Sequence, residues 1–346
     1  MKNNDKSENN KGMNQVAEKS YTPIDSVIMF FCTLILPTVF ALPIYFFLND
    51  EAKKVFMYII PQVAILSGFL FLSFYRKVNI KKANQINFKL NIWIVLIVIA
   101  IGIVSIFGFS PLVNIFESLI ESWGYKNDAL SIEIPTIWSL IAKIIYIGLV
   151  PAICEELACR GVITNGLKKT GIVTTCVLSG VFFALMHQNL EQLVYQLFMG
   201  IVMAYIVLKT GSIVYTMILH FFNNAAILIT TYVNQKNGVV EQPVDLSNAW
   251  NIILPIIIAI GVTGIVVSLL FLIKFIVMKK EEKQKKVENL QTENINNKQT
   301  INDNGLAKIS DMEKIVTIVG IVAGTFIYIL SIVAGFIATW FVKIVI

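Results

Sequence analysis

The sequence predicts an all-α fold: a polytopic membrane helix bundle of about eight core transmembrane helices, plus an extra C-terminal one. Of its 346 residues, 56% are hydrophobic and only 14% are charged, whereas soluble domains average about 45–50% and about 25%. The hydrophobic residues form blocks of roughly 20, the length that a helix needs to cross a bilayer. Because the lysines cluster at the edges of these blocks, the net charge of +6 is typical of membrane loops and does not indicate a nucleic-acid partner.

The apolar blocks divide the chain into four regions. Candidate spans lie at 26–48, 55–75, 92–110, within 137–167, 172–190, 191–208, 212–233, 250–278 and 315–345. We expect a disordered tail at 1–22, the transmembrane bundle at 23–278, a charged linker at 279–313 and the additional helix at 314–346. Between the third and fourth spans, the segment that begins at 111 has apolar residues at helical spacing and two glutamates, so we expect it to lie along the membrane interface.

The distribution of basic residues predicts the side of the membrane on which each loop lies. Lysine and arginine are frequent in the N-terminal tail and in the loops at 76–89, 168–169 and 279–286. The alternate loops are poorer in them, since 111–136 is acidic and 234–249 holds one lysine. We therefore expect a multi-pass protein of the cell membrane, with the N-terminus, the tail and the charged linker in the cytoplasm.

Three ionisable side chains interrupt an apolar segment at "CEELACRG", residues 154–161. A charge at mid-bilayer costs about 2.5–3.5 kcal/mol on insertion scales, so such residues usually pair or have a function. Glu156 and Arg160 are four residues apart on one helix face, which favours an ion pair. Glu155 is rotated by about 100° from Glu156 and can face a different cavity. The spacing predicts a structural role for the pair and a chemical role for Glu155, and the alternative is one packing network of all three.

Both histidines of the chain, His187 and His220, lie in apolar segments. Histidine transfers protons near neutral pH, although a lone histidine in an apolar helix is more often a packed core residue. Asn224 follows His220 by four residues and Phe183 precedes His187 by four, so each pair shares a helix face. Counted at about 1.5 Å per residue from the short turns between spans, Glu155, both histidines and Asn224 lie at overlapping depths.

Such a cluster suits hydrolysis of an amide or ester bond within the membrane. A carboxylate and an imidazole that share a water form a general base. A second imidazole and an amide can donate hydrogen bonds to the oxyanion that forms at the attacked carbonyl. No Ser-His-Asp or Cys-His arrangement has comparable support. The cysteines are interpreted as small apolar residues: Cys32, Cys154, Cys159 and Cys176.

Three motifs occur in order on successive spans: E-E-x-x-x-R as "EELACR", F-x-x-x-H as "FALMH" and H-x-x-x-N as "HFFNN". This pattern resembles the type II CAAX prenyl endopeptidases, also called the CAAX protease and bacteriocin-processing (CPBP, Abi) family. The resemblance covers about 137–233, where we place the protease core. The common form of the first motif is E-E-L-x-F-R-G, and this chain has Cys159 at the phenylalanine position, a departure that removes no catalytic group.

The resemblance implies an intramembrane endopeptidase that uses activated water to hydrolyse a peptide bond of a membrane-associated peptide or protein. Carried over motif by motif, Glu155 would activate the water together with His187, and His220 and Asn224 would form the oxyanion site. Three further residues would support this group: Glu156, Arg160 and Phe183. The family also implies a setting in peptide or bacteriocin processing, or in self-immunity.

Zinc is the mechanistic alternative, because two histidines with glutamates can also ligate a metal. The zinc ligands would then be Glu155, His187 and His220. We favour a mechanism without metal or other cofactor, since H-E-x-x-H is absent and the chain contains only two imidazoles.

Two other functions compete with proteolysis. One is a non-catalytic membrane scaffold or immunity protein, and the other is a proton-coupled transporter, which the lack of an evident inverted repeat disfavours.

Overall fold

The computed structural model describes residues 19–125, 132–239 and 242–292, without the side chains of 50, 51, 54 and 286–292. The regular elements in these ranges are helices: α1 (Pro23–Phe47), α2 (Asp50–Arg76), the single turn α3 (Ile80–Ala83), α4 (Ile92–Ser122), α5 (Ile137–Thr170), α6 (Ile172–Met186), α7 (Leu193–Thr210), α8 (Val214–Lys236) and α9 (Ala249–Thr292). The first part of the predicted linker, 279–292, continues α9. The rest of the linker, the predicted additional helix at 314–346 and residues 1–18 of the tail lie outside the described residues.

Seven of these helices are long and apolar enough to cross a membrane, and α6 is apolar but shorter, at 15 residues. The predicted all-α membrane bundle is therefore confirmed for the part of the chain that the structure describes. The segment that begins at residue 111, expected to lie along the membrane interface, instead continues α4 as far as Ser122. Its residues Ile115 and Ile120 are buried, and the hydroxyl of Ser118 accepts a hydrogen bond from the amide of Val244. Packing inside the protein thus decides the course of this segment.

Helix α5 carries the first motif and departs from regular α-helical winding. Two stretches, Ile144–Leu149 and Leu157–Thr164, are wound as π-helix, a form that is frequent at functional sites. Between them, Pro151 lacks the N–H that would bond the carbonyl of Ile147 in an α-helix. That carbonyl accepts a hydrogen bond of 3.2 Å from Nδ2 of Asn224 in α8. The irregular part of α5 is therefore tied directly to a predicted site residue.

Helices α6 and α7 form a close antiparallel pair through two glycines. A Cβ atom on Gly200 would lie 2.7 Å from Cα of Gly180, and one on Gly180 would lie 3.0 Å from the carbonyl oxygen of Leu197. Small residues of this kind let two helix backbones approach in a membrane. The close contact fixes the C-terminal end of α6, where His187 directly follows the last helical residue, Met186.

Helix α2 is held against α1 by polar contacts at one end of the bundle. Nε of Arg76 lies 2.7 Å from Oδ1 of Asp25, and the hydroxyls of Tyr21 and Ser73 lie 2.8 Å apart. These contacts fix the register of α2 against its neighbour. Consequently, Gln62 is held at a defined position beside α5.

Candidate active site

Glu156 and Arg160 form the ion pair that their spacing predicts. Nη1 of Arg160 lies 3.1 Å from Oε1 of Glu156, and both side chains are fully buried. The same oxygen accepts a hydrogen bond of 3.0 Å from Nδ1 of His220. The guanidinium also lies over the ring of Phe183, 4.2 Å from the ring centroid. Since a buried charge is costly unless it is paired, these side chains form a closed group in which each charge has a partner.

Phe183 connects the group of Glu156, Arg160 and His220 to the other histidine, His187. Its ring is edge-on to His187, with 4.9 Å between centroids, and edge-on to His220, with 5.8 Å between centroids. The contact with His187 is the one that their spacing of four residues predicts. Because the ring is buried and also touches Arg160, it sets the distance between the ion pair and both imidazoles.

Glu155 faces the two imidazoles. Its Oε2 lies 4.0 Å from Nε2 of His187 and 3.9 Å from Nε2 of His220. The carboxylate is buried, and within the described part of the chain this oxygen has no hydrogen-bond partner. The two adjacent glutamates of the motif are thus turned toward different partners, as the helical rotation between them predicts.

Hydrogen bonds determine which nitrogen of each imidazole faces Glu155. Nδ1 of His187 lies 2.7 Å from the carbonyl oxygen of Phe183, and Nδ1 of His220 lies 3.0 Å from Oε1 of Glu156. A carbonyl and a carboxylate only accept, so each Nδ1 carries a proton and donates. In the neutral imidazoles, each Nε2 is then an acceptor. Three acceptor atoms therefore face one another: the two Nε2 atoms and one carboxylate oxygen.

A cavity of about 540 Å³ lies beside this group, a volume in the range of ligand pockets. The predicted catalytic residues all line it: Glu155, His187, His220 and Asn224. From there the cavity extends along α4 as far as Glu117 and along α8 as far as Asn234. Since α4 ends at Ser122 and α8 at Lys236, the cavity runs from the buried cluster toward one face of the bundle.

Sequence reasoning does not identify two polar residues of this site. Nε2 of Gln62 in α2 donates a hydrogen bond of 2.8 Å to Oε1 of Glu155. The hydroxyl of Tyr195 in α7 donates to Oδ1 of Asn223, at 2.5 Å, and both Gln62 and Tyr195 line the cavity. The available signal for Gln62 is a lone amide within the apolar run "YIIPQVAIL". A polar side chain in such a run indicates a buried partner, but the run does not indicate which one.

The three candidate zinc ligands are spaced more widely than the ligands of a tetrahedral zinc ion. Ligands at about 2.0–2.1 Å from a tetrahedral zinc lie roughly 3.4 Å from one another, whereas the distances from Oε2 of Glu155 to the histidines are 4.0 and 3.9 Å. Within the ranges that the structure describes, no group of three His, Cys, Asp or Glu side chains is arranged to hold a metal ion. We therefore derive no reaction step through a metal.

Together, the fold and the site define a polytopic membrane protein with a buried carboxylate–imidazole centre. The family model described as type II CAAX prenyl endopeptidase Rce1-like matches residues 137–226, from the start of α5 into α8. This match confirms the resemblance that the motifs predict, and every predicted site residue lies within it. It supports a CAAX-type intramembrane protease, a multi-pass membrane hydrolase, in general. No curated protein and no solved structure matches the chain.

Proposed function

We propose that this protein hydrolyses a peptide bond of a membrane-associated peptide or protein, with Glu155 and His187 activating the water. The observation that carries the proposal is the distance of 4.0 Å between Oε2 of Glu155 and Nε2 of His187. A water that donates a hydrogen bond of about 2.8 Å to each atom fits this spacing, with an angle of roughly 90° at its oxygen. Both groups line the cavity, where the carbonyl of a substrate can approach them.

In the proposed reaction, Glu155 is the general base and then the general acid. It takes a proton from the water as the water oxygen attacks the carbonyl carbon, and a tetrahedral oxyanion forms. When this intermediate collapses, the C–N bond breaks and Glu155 returns the proton to the leaving amine. His187 orients the water through Nε2, because its Nδ1 is bound to the carbonyl of Phe183.

We assign stabilisation of the oxyanion to Asn224 and His220. Nδ2 of Asn224 has two N–H groups and uses one of them on the carbonyl of Ile147, so one donor remains for the oxyanion. When His220 takes up a proton at Nε2, this nitrogen also donates to the oxyanion while its Nδ1–H stays bound to Glu156. The supporting residues that hold His220 in this position are Glu156, Arg160 and Phe183.

The decisive experiment is Glu155→Gln in the full chain, reconstituted into vesicles with a library of membrane-anchored peptides. Gln is nearly isosteric but cannot accept a proton, so we expect cleavage, read by mass spectrometry, to fall by about 10³-fold with the thermal unfolding midpoint unchanged. The matched control is Glu133→Gln, which neutralises an exposed carboxylate and should leave cleavage intact. Equal cleavage by wild type and Glu155→Gln would contradict the role of Glu155 in the proposal, and an absence of cleavage by either protein would favour the scaffold alternative.

We further propose that the reaction needs no metal. The support is the spacing of the three candidate ligands, because the distances of 4.0 and 3.9 Å from Oε2 of Glu155 to the two Nε2 atoms exceed the ligand spacing of a tetrahedral zinc ion. Exhaustive chelation of the reconstituted protein should leave the rate of cleavage unchanged. A rate that falls on chelation and recovers on addition of zinc would overturn this part of the proposal.

We propose the cell membrane as the location, with the N-terminus in the cytoplasm, and peptide or bacteriocin processing or self-immunity as the setting. The family match and the apolar helices support a membrane-associated substrate. In this orientation, the cavity runs toward the outer face, where α4 and α8 end. A reporter enzyme that is active only outside the cytoplasm should be active when it is fused after Lys236. An inactive fusion of normal abundance would reverse the orientation.

A further inference from the structure

We propose that Gln62 is a positioning residue, which fixes the carboxylate of Glu155 so that one oxygen faces the two imidazoles. The inference rests on the proposed function and extends the site beyond the matched segment, because Gln62 belongs to α2 and not to 137–226. Its side chain is 7% exposed and lines the cavity. A side chain on a separate helix thus reaches the predicted general base.

The contact itself has a defined direction. Nε2 of Gln62 lies 2.8 Å from Oε1 of Glu155, a normal length for a hydrogen bond between an amide and a carboxylate. An ionised carboxylate only accepts, so the NH₂ group of Gln62, and not its oxygen, must face Glu155. A hydrogen bond to an ionised acceptor is also stronger than one between neutral groups. This contact therefore restrains the carboxylate of Glu155 in the form that acts as the base in the proposed reaction.

This bond distinguishes the two oxygens of Glu155. Oε1 is bound to Gln62, while Oε2 lies 4.0 Å from Nε2 of His187 and 3.9 Å from Nε2 of His220. The last torsion of a glutamate side chain is broad and soft, so the rotamer alone does not hold the carboxylate plane. Productive geometry usually has to be kept within about 0.5 Å and 10–20°. With Oε1 bound, the carboxylate plane is held in the orientation that aims Oε2 at the water-binding position.

The other end of the Gln62 amide argues against a role in packing alone. Its Oε1 is buried and accepts no hydrogen bond from another of the described residues, whereas most buried polar atoms in proteins are bonded. Met, of similar size and with no polar amide, would fill the same space without leaving an acceptor unpaired. Local departures of this kind are expected at functional sites. The bond to Glu155 accounts for the presence of an amide at this position.

The first test is Gln62→Met in the reconstituted full chain, with the membrane-anchored peptide library as the substrate probe. We expect kcat to fall by at least tenfold while KM stays within about twofold, because the variant still binds substrate but presents Glu155 less often in the productive orientation. The thermal unfolding midpoint should not fall. Ser67→Ala is the matched control on α2, since its hydroxyl bonds the carbonyl of Ala64 one turn earlier in the same helix, and it should keep the wild-type kcat.

The second test separates a donated hydrogen bond from filled space. Gln62→Ala removes the amide and leaves room for a small molecule. Acetamide, which supplies the missing N–H donor, should restore kcat several-fold in this variant. Acetone has nearly the same shape but no N–H, and it should restore nothing. Neither additive should raise the kcat of the wild-type protein.

Each outcome is informative. A wild-type kcat in Gln62→Met, or equal rescue by acetamide and acetone, overturns the positioning role while leaving the proposed function intact. A fall in the unfolding midpoint with no split between kcat and KM also overturns it, since that is the result of lost packing. If Glu155→Gln cleaves as well as wild type, the proposed function itself fails, and the role of Gln62 fails with it.

Discussion

Two adjacent glutamates of helix α5 lie in opposite environments. Glu156 is fully buried and has a charged or hydrogen-bonding partner on two sides, 3.1 Å from Arg160 and 3.0 Å from His220. Glu155 lines a cavity, with one oxygen bonded to Gln62 and the other facing two imidazole nitrogens. Neighbouring positions on one helix therefore hold a carboxylate that is neutralised by its partners, Glu156, and a carboxylate that faces the cavity, Glu155.

The difference shows how one short motif can supply both support and chemistry. Successive residues on a helix differ by about 100° in direction, so Glu155 and Glu156 point to different neighbours without any change in the backbone. A buried ion pair is costly to break because the remaining charge is left without a partner. Changes around Glu156 should therefore lower both stability and activity, whereas changes around Glu155 should lower activity far more than stability.

The largest effect on stability is expected from Glu156→Gln. The substitution leaves Arg160 buried beside a neutral partner, so we expect the free energy of unfolding to fall by about 3–5 kcal/mol and cleavage to be lost. Chemical unfolding in detergent micelles measures the first effect, and the peptide-library assay measures the second. A variant as stable as wild type would show that Glu156 does not have the structural role assigned to it.

Asn224→Ala tests the other side of the comparison. We expect kcat to fall by about 10²-fold, which corresponds to about 2.7 kcal/mol, because one donor to the oxyanion is removed. The free energy of unfolding should fall by only about 1 kcal/mol, since the carbonyl of Ile147 loses one hydrogen bond. Steady-state kinetics and chemical unfolding together give both values. If the free energy of unfolding falls by more than the free energy that corresponds to the change in kcat, Asn224 belongs with the structural group.

Removing both charges should restore part of what Glu156→Gln alone removes. In the double variant Glu156→Gln with Arg160→Met, no buried charge is left unpaired, and we expect about 2 kcal/mol of the lost stability to return. Chemical unfolding of the wild type, both single variants and the double variant gives the coupling between the two sites. Simple additivity of the single effects would mean that the pair does not compensate its own charges.

The smallest effect is expected from Phe183→Leu, which removes the ring below the guanidinium of Arg160. We expect a loss of about 1 kcal/mol in the free energy of unfolding from this contact. Phe182→Leu is the matched control, because its ring stacks on Phe30 at 4.3 Å between centroids. In the Arg160→Met background, the cost of Phe183→Leu should shrink and that of Phe182→Leu should not. If Phe183→Leu lowers the free energy of unfolding equally in both backgrounds, Phe183 does not interact with Arg160.

Much of the fold follows from local pattern. Within the described ranges, the apolar blocks correspond to helices of the bundle because a helix satisfies its own backbone hydrogen bonds in an apolar solvent. The continuation of α4 through residues 111–122 does not follow, since glutamates and apolar residues at helical spacing suit an interfacial helix and a buried helix end equally well. The close approach of Gly180 to Gly200 likewise depends on how α6 and α7 cross, and the residues of one helix alone do not specify that crossing.

The candidate site divides in the same way. The spacing of Glu156 and Arg160 predicts their contact, because four residues bring two side chains onto one helix face. By contrast, the amide of Gln62 lies 93 positions before Glu155 and bonds it only because α2 packs beside α5.

The sequence by itself determined the apolar helices of the described bundle, the order of the motifs and the pairing within one helix turn, because each of these depends on a single segment of the chain. The tertiary structure decided which nitrogen of each histidine faces Glu155, that Asn224 bonds the carbonyl left by Pro151, and that the cavity reaches the cluster. These contacts join different helices, and their geometry depends on how those helices pack against one another.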